Sequence, residues 1–229
     1  MDFKTDEIEL LIGDFNVQLT VINNIDELFD ALIQKGDEHE DVKDERIPYW
    51  AELWASAIAM SHYLVENALV TEGVHVTEIG CGLGLPSIVA GKMGGNVIMT
   101  DYLKDALDFA VLNWNKNLPH KKAQIAQLDW RNPEPSLSAD ILLASDVAYE
   151  ARAFEPLLNA FKVLLKPHGR IIITEPNRPV SKEFFSQLDS LLKDKNINVV
   201  SYHLKHSSAE IERKGHVHKV NIYDLKSKL

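Results

Sequence analysis

From Val74 onward, apolar runs and polar breaks alternate along the chain with a changing period. Short β-branched runs at 74–79, 96–101, 123–128, 140–146 and 169–175 predict strands. Between them, 86–93, 104–117, 153–165 and 181–195 repeat apolar residues at three and four, the helical spacing. Strand and helix in strict alternation predict a parallel sheet covered on both faces. The tail changes period. "NVVSYHLKHS" and "GHVHKVNIYDL" alternate every second residue and predict an antiparallel pair near 197–204 and 217–224. The fold class that follows is α/β: a doubly wound, seven-stranded, mostly parallel sheet with a C-terminal antiparallel hairpin and helices on both faces.

The first residues have a different texture. "EIELLIGDFNVQLTVI" is β-branched and predicts a strand or two. "NIDELFDALIQKG" sets Ile25, Leu28, Phe29, Leu32 and Ile33 at helical spacing, with Asn24 in N-cap position and Gly36 past the end. The acidic, non-periodic run 37–45 reads as an exposed linker. A long helical pattern then covers Pro48 to Leu69. These features divide the chain into an N-terminal extension, 1–47, and a main domain, 48–229.

Composition narrows the functions. The chain has 229 residues, 45% hydrophobic and 25% charged, enough for one well-cored α/β domain. No apolar run reaches the roughly 18 residues of a membrane span, and "MDFKTDEIEL" lacks a signal-peptide pattern, so no membrane partner is expected. A single cysteine, Cys81, excludes an intrachain disulfide and points to a reducing, cytoplasmic setting. The net charge of -10 argues against a generic nucleic-acid binder.

The chemistry gathers at strand ends. Gly80, Gly82 and Gly84 follow the first strand of the alternating region, where an open α/β sheet binds ligands. They let the backbone turn and let a ligand approach closely, and Pro86 suits the first turn of the next helix. A nucleoside triphosphate would need a lysine followed by Ser or Thr, absent here. A dinucleotide loop has the spacing G-x-G-x-x-G, whereas this one is G-x-G-x-G. Glu78 ahead of it suits a ligand with a positive end better than a pyrophosphate. S-adenosylmethionine carries such an end, together with a carboxylate and a ribose diol. Asp101 ends the second strand as an acceptor for ribose hydroxyls, a role an NAD ribose would share. Asp129 and Trp130 end the third, offering an acceptor for the adenine amino group and an aromatic wall. "ASDVAYE", with Ser145, Asp146 and Tyr149, ends the fourth and faces the reacting methyl.

With these residues in place, the sequence resembles the seven-strand, Rossmann-like S-adenosylmethionine-dependent methyltransferases. Within them it resembles the branch of non-SET protein lysine methyltransferases and nicotinamide N-methyltransferase-like proteins. "PYWAELWASAIAMSHYL", "TEIGCGLGLPSI", "MTDY", "VLNWNKN", "LDW", "LASDVAYE" and "ITEPNR" carry the resemblance, over about 47–229. It implies cofactor contacts from Trp54, the Gly80–Cys81–Gly82 loop, Asp101 with its neighbour Tyr102, Trp130 and Ser145. Asp146 and Tyr149 match an acid-x-x-aromatic motif beside the target nitrogen. Ala55 stands where many relatives have proline, and "EPNR" where a relative acting on an electron-transfer flavoprotein has aspartate-proline-glycine-arginine.

The expected function is N-methylation of a lysine side chain in a protein. Asp146 would seat the incoming ammonium and Tyr149 would exclude water. Two alternatives stay open: a small amine, with residues 1–47 as a lid over the pocket, and a protein that binds the cofactor without catalysis. Cys81 is expected to fill a tight loop rather than act as a nucleophile. Trp50 is expected in the core, one helical turn from Trp54. His203, His206, His216 and His218 fix no third ligand by spacing, so no metal is expected. Glu175 and Arg178 are read as closing a turn, with a substrate-side role as the alternative.

Overall fold

The computed structural model describes residues 3–36, 38–43, 47–193 and 202–227. A seven-stranded sheet holds the molecule together, in the order β5-β4-β3-β6-β7-β9-β8. Its strands are β3 (His75–Ile79), β4 (Asn96–Asp101), β5 (Gln124–Gln127), β6 (Ala139–Ser145), β7 (Leu165–Glu175), β8 (Tyr202–Arg213) and β9 (His216–Ser227). β3 to β7 run parallel, while β9 is antiparallel to both β7 and β8. The chain order reverses beside β3, between β4 on one side and β6 on the other. Beyond their carboxyl ends a doubly wound sheet leaves its crevice.

Helices α4 (Leu85–Lys92), α5 (Lys104–Asn117), α6 (Phe154–Leu164) and α7 (Ser181–Lys193) fall where the apolar spacing predicts them. Residues 194 and 195 of the last predicted helix lie outside the described residues. The C-terminal pair is longer than its two sequence runs. The polar connection "KHSSAE" is itself strand, because Ala209 and Ile211 pack beside Val220 against Ala55 and Ala59. Residues 197–201 of the first predicted strand are not described. No helix among the described residues is long and apolar enough to cross a membrane.

The expected long helix over 48–69 is two elements. A 3-10 turn covers Pro48–Ala51, the chain is extended at Glu52 and Trp54, and α3 begins only at Ala55 and ends at Glu66. Continuing the first helix would require the Tyr49 carbonyl to accept from Leu53. That carbonyl instead accepts from the Trp54 indole at 2.9 Å and from the Glu52 N–H. The two tryptophans therefore take different neighbours. Trp50, expected in the core, is only partly buried, packed edge-on against Phe3 and tilted against Phe109, while Trp54 meets Tyr49; both line the sheet's crevice.

The N-terminal segment forms a hairpin, β1 (Thr5–Ile12) and β2 (Phe15–Ile22), then α1 (Ile25–Ile33). Asn24 precedes α1 without capping it through its side chain. Its Oδ1 accepts instead from the Lys4 N–H, tying the hairpin's start to the helix. Within the acidic linker, Glu40–Lys43 makes one helical turn, α2, with Lys35 paired to Asp41 and Lys43 to Glu38. Residues 37, 44 and 45 of that linker lie outside the description.

The hairpin is built into the main core. Ile12, Val17 and Leu19 are buried in one cluster with Leu64, Ile88 and Trp114. Its open edge is closed by a helix. The Asn113 side chain accepts from Thr20 N–H at 2.7 Å and donates to Thr20 O at 3.2 Å. One turn on, Asn117 does the same with Gln18, at 3.0 and 2.7 Å. Asn113 also donates to the Leu83 carbonyl in the glycine loop, at 3.0 Å.

Candidate active site

The loop after β3 is fastened by its backbone. Cys81 N–H donates to Thr100 O at 2.8 Å, Gly82 N–H to Asp101 Oδ2 at 3.0 Å, and Gly84 N–H to Cys81 O at 2.8 Å. Gly82 has φ +49°, and a Cβ there would come within 3.0 Å of the Trp50 carbonyl oxygen. Handedness and space both require glycine. Cys81 is buried, and its thiol is pushed well up by burial, as befits a filler rather than a nucleophile.

Glu78 departs from the sequence reading. It is absent from the cavity wall and fully buried beneath the loop. Its Oε2 accepts from both the N–H and the hydroxyl of Ser87, in the first turn of α4. A helix start leaves such N–H groups without partners, and a carboxylate from the preceding strand satisfies one. Burial pushes the Glu78 carboxyl up to about 8, and its Oε1 has no hydrogen-bond partner.

Every other sequence-predicted site residue lines one cavity of about 290 Å³ at the carboxyl ends of the strands. These are Trp54, Gly80, Cys81, Gly82, Gly84, Asp101, Tyr102, Asp129, Trp130, Ser145, Asp146 and Tyr149. Asp101 accepts from Gly82 N–H with one oxygen and from Leu103 N–H, at 3.1 Å, with the other. These bonds aim the carboxylate, while burial raises its pKa above the ordinary value. Trp130 lies against Gly80, 3.6 Å from where a Cβ would stand. Asp129, expected as a free acceptor, receives the Arg131 backbone N–H and Nε, at 2.9 and 2.8 Å. The same guanidinium covers the Tyr102 ring.

At the end of β6, Asp146 adopts φ +53°, unusual for a residue with a Cβ. Its N–H continues the sheet by donating to Thr174 O. Its carboxylate is nearly fully buried and is gripped by Arg178, Nε to Oδ1 at 3.1 Å and Nη2 to Oδ2 at 2.9 Å. Burial raises the Asp146 pKa and Arg178 pulls it back. The sequence offered this carboxylate to an incoming ammonium; the fold has given both oxygens to a cation of its own.

The remaining wall was not read from the sequence. Tyr49 meets Tyr149 edge to face with ring centres 5.3 Å apart, Trp54 at 6.3 Å and Phe29 of α1 at 5.8 Å. Glu52, Glu150 and Arg152 complete this end. Only the doublet "YW" after Pro48 hinted that aromatics gather here. The N-terminal hairpin does not reach the cavity wall, whose N-terminal part comes from Ile47 onward. Among the described residues, no group of three or more His, Cys, Asp and Glu is arranged to hold a metal ion.

Comparison with known proteins adds a second line. A family described as lysine methyltransferase matches residues 10–191. Mouse "EEF1A lysine methyltransferase 3" is 28% identical over 173 residues, covering 70% of this chain and 74% of its own. Mouse "Protein N-lysine methyltransferase METTL21A" is 34% identical over 129 residues, 54% of this chain and 59% of its own. Human "Histone-arginine methyltransferase METTL23" is 32% identical over 126 residues, 52% and 65% of the two chains. The fold is similar to Synechocystis magnesium protoporphyrin IX methyltransferase with bound SAH, at TM-score 0.54 and 13% identity over 88% of this chain and 94% of that one. A TehB-like SAM-dependent methyltransferase from Corynebacterium glutamicum also has TM-score 0.54, at 16% identity over 90% and 97%.

Proposed function

The chain belongs to the lysine methyltransferase family and is an S-adenosylmethionine-dependent methyltransferase; on that premise we propose that its acceptor is the side-chain amine of a lysine in a protein. The observation that carries this reading is a single cavity that joins the glycine loop and Asp101 at one end to the Tyr49–Tyr149 pair at the other. The cofactor fits the residues present. The glycine loop brings its backbone to the cavity wall, Asp101 presents an aimed carboxylate to a ribose diol, and Trp130 supplies a flat apolar wall.

The cofactor supplies an electrophilic methyl group, so little acid–base machinery is required of the protein. Asp101, Trp130 and the loop 80–84 hold and orient. Trp54, Tyr49 and Tyr149 exclude water and flank the acceptor. The amine must be neutral when it attacks, and a free lysine has a pKa of about 10.4. Tyr149 stays 36% exposed, yet desolvation against the cavity wall pushes its phenol upward, so it stays protonated and serves as a wall rather than a base. We further propose a cytoplasmic setting, which the single cysteine of the sequence supports; a tagged chain found in an oxidising compartment would overturn that.

The test is tritium transfer from labelled S-adenosylmethionine into a cell lysate, divided into protein and small-molecule fractions. Label in protein, recovered as methyllysine after hydrolysis, is expected. Label confined to small molecules would replace this reading with a small-amine acceptor.

A further inference from the structure

Five carboxylates line the cavity, and each already has internal partners. Asp101 holds two backbone N–H groups. Asp129 is paired with Arg131, Glu150 with Arg152, and Glu52 with both Arg213 and Lys214 at the turn between β8 and β9. Asp146 is paired with Arg178. A cation that enters a closed site without a counter-charge is costly. A lysine meets this by losing its proton, which it does readily when desolvated. An arginine cannot, because its guanidinium stays charged throughout the accessible range.

One of these pairs has the shape of an arginine seat. Asp146 meets a guanidinium fork with both oxygens, and that guanidinium lies 5.6 Å from the centre of the Trp54 ring. Carboxylate plus aromatic face is how a planar fork is recognised. We infer that Arg178 is a specificity-determining residue: it fills that seat from within, turns away an arginine acceptor, and leaves the site to an amine that can become neutral.

Its placement is built in. Glu175 accepts from the Arg178 backbone N–H at 2.9 Å with one oxygen and from Asn221 Nδ2 at 2.6 Å with the other. Asn177 between them adopts φ +59°. The inference rests on a protein acceptor and separates the lysine from the arginine named in different relatives.

Two measurements test it. In the lysate assay, the parent should yield methyllysine and at least tenfold less methylarginine. Ethylguanidinium, a minimal arginine side chain, should then be titrated into the parent, Arg178→Ala and Arg178→Lys. Arg178→Ala should be inhibited at concentrations at least about tenfold lower than the parent, and its melting temperature should rise with the ligand. Arg178→Lys keeps the charge but not the fork and should shift the same way by about threefold. It decides the matter if the alanine variant does not fold. Methylarginine as the parent's main product, or equal inhibition of parent and variants, overturns the inference. Label confined to small molecules sinks the protein-acceptor reading instead, and the ethylguanidinium comparison still decides whether Arg178 fills the seat.

Discussion

The two ends of the cavity are made differently. The cofactor end is assembled from consecutive residues at three strand ends, and main-chain N–H groups hold it: Cys81 N–H donates to the Thr100 carbonyl, and Gly82 and Leu103 N–H donate to the Asp101 carboxylate. The acceptor end is assembled from side chains that the fold collects from far apart. Tyr49 comes from a 3-10 turn and Tyr149 from the loop after β6, and two carboxylates of the wall are held from further off, Asp146 by Arg178 of the turn after β7 and Glu52 by Lys214 of the β8–β9 turn. A backbone-built site tolerates little change, because each residue fixes the path of the next. A side-chain-built site can alter one contact at a time. The contrast teaches where a shared reaction and a variable acceptor can coexist in one chain.

Four experiments can break or sharpen that contrast. The largest effect should come from beneath the loop. Glu78 holds its proton to about pH 8 in the folded chain, against 4.5 as an ordinary carboxyl. Between those values the folded state keeps a proton that the unfolded state releases, so stability is full below about pH 4.5 and falls as pH rises toward 8. The slope reaches at most about 1.4 kcal/mol per pH unit. Chemical denaturation of Glu78→Gln across this range should be flatter than the parent's. Parallel curves would mean that Glu78 titrates normally.

Next is Asp101→Ala. Two hydrogen bonds to a charged group, about 1.5–3 kcal/mol each, predict at least a hundredfold loss of S-adenosylmethionine affinity by calorimetry. An unchanged dissociation constant removes Asp101 from the site. Gly82→Ala should cost about tenfold in the same assay, because the free loop relaxes away from roughly 1–2 kcal/mol of left-handed backbone strain and the Trp50 carbonyl, and must take that strain back to bind. Wild-type affinity there would show that the loop keeps one path, free and bound. The smallest effect belongs to the other end. Tyr49→Ala should raise the acceptor KM about threefold to tenfold, the worth of one aromatic pair, and leave cofactor affinity within twofold. If Tyr49→Ala weakens the cofactor as much as Gly82→Ala does, the two ends are not separable.

Legibility followed the same division. Strands and helices of the alternating region were readable because apolar period decides them locally, and the cofactor end inherits its residues from strand ends. The break at Glu52 was hidden, since it depends on the Trp54 indole taking the Tyr49 carbonyl, a tertiary choice that helix propensity does not register. Glu78 was placed on the right strand but on the wrong side of the loop. Its proper partner, Ser87, lies nine residues on and reads as an ordinary helix residue. The pairing of Asp146 with Arg178 spans 32 positions, so no local pattern could announce it.

Asn113 and Asn117 have a consequence for how the chain is made. Four residues of α-helix rise about 6.0 Å and two of strand about 6.6–6.8 Å. Two amides one turn apart can therefore stand in for two rungs of a neighbouring strand, and a third would drift out of step. The hairpin is synthesised before α5, with the edge of β2 open, and the residues that close that edge follow some 93 to 99 positions later. Until α5 has been synthesised and folded, the hairpin carries an exposed template for unwanted strand pairing. Because Asn113 also grips Leu83, closure of that edge and setting of the glycine loop become one late event in biogenesis.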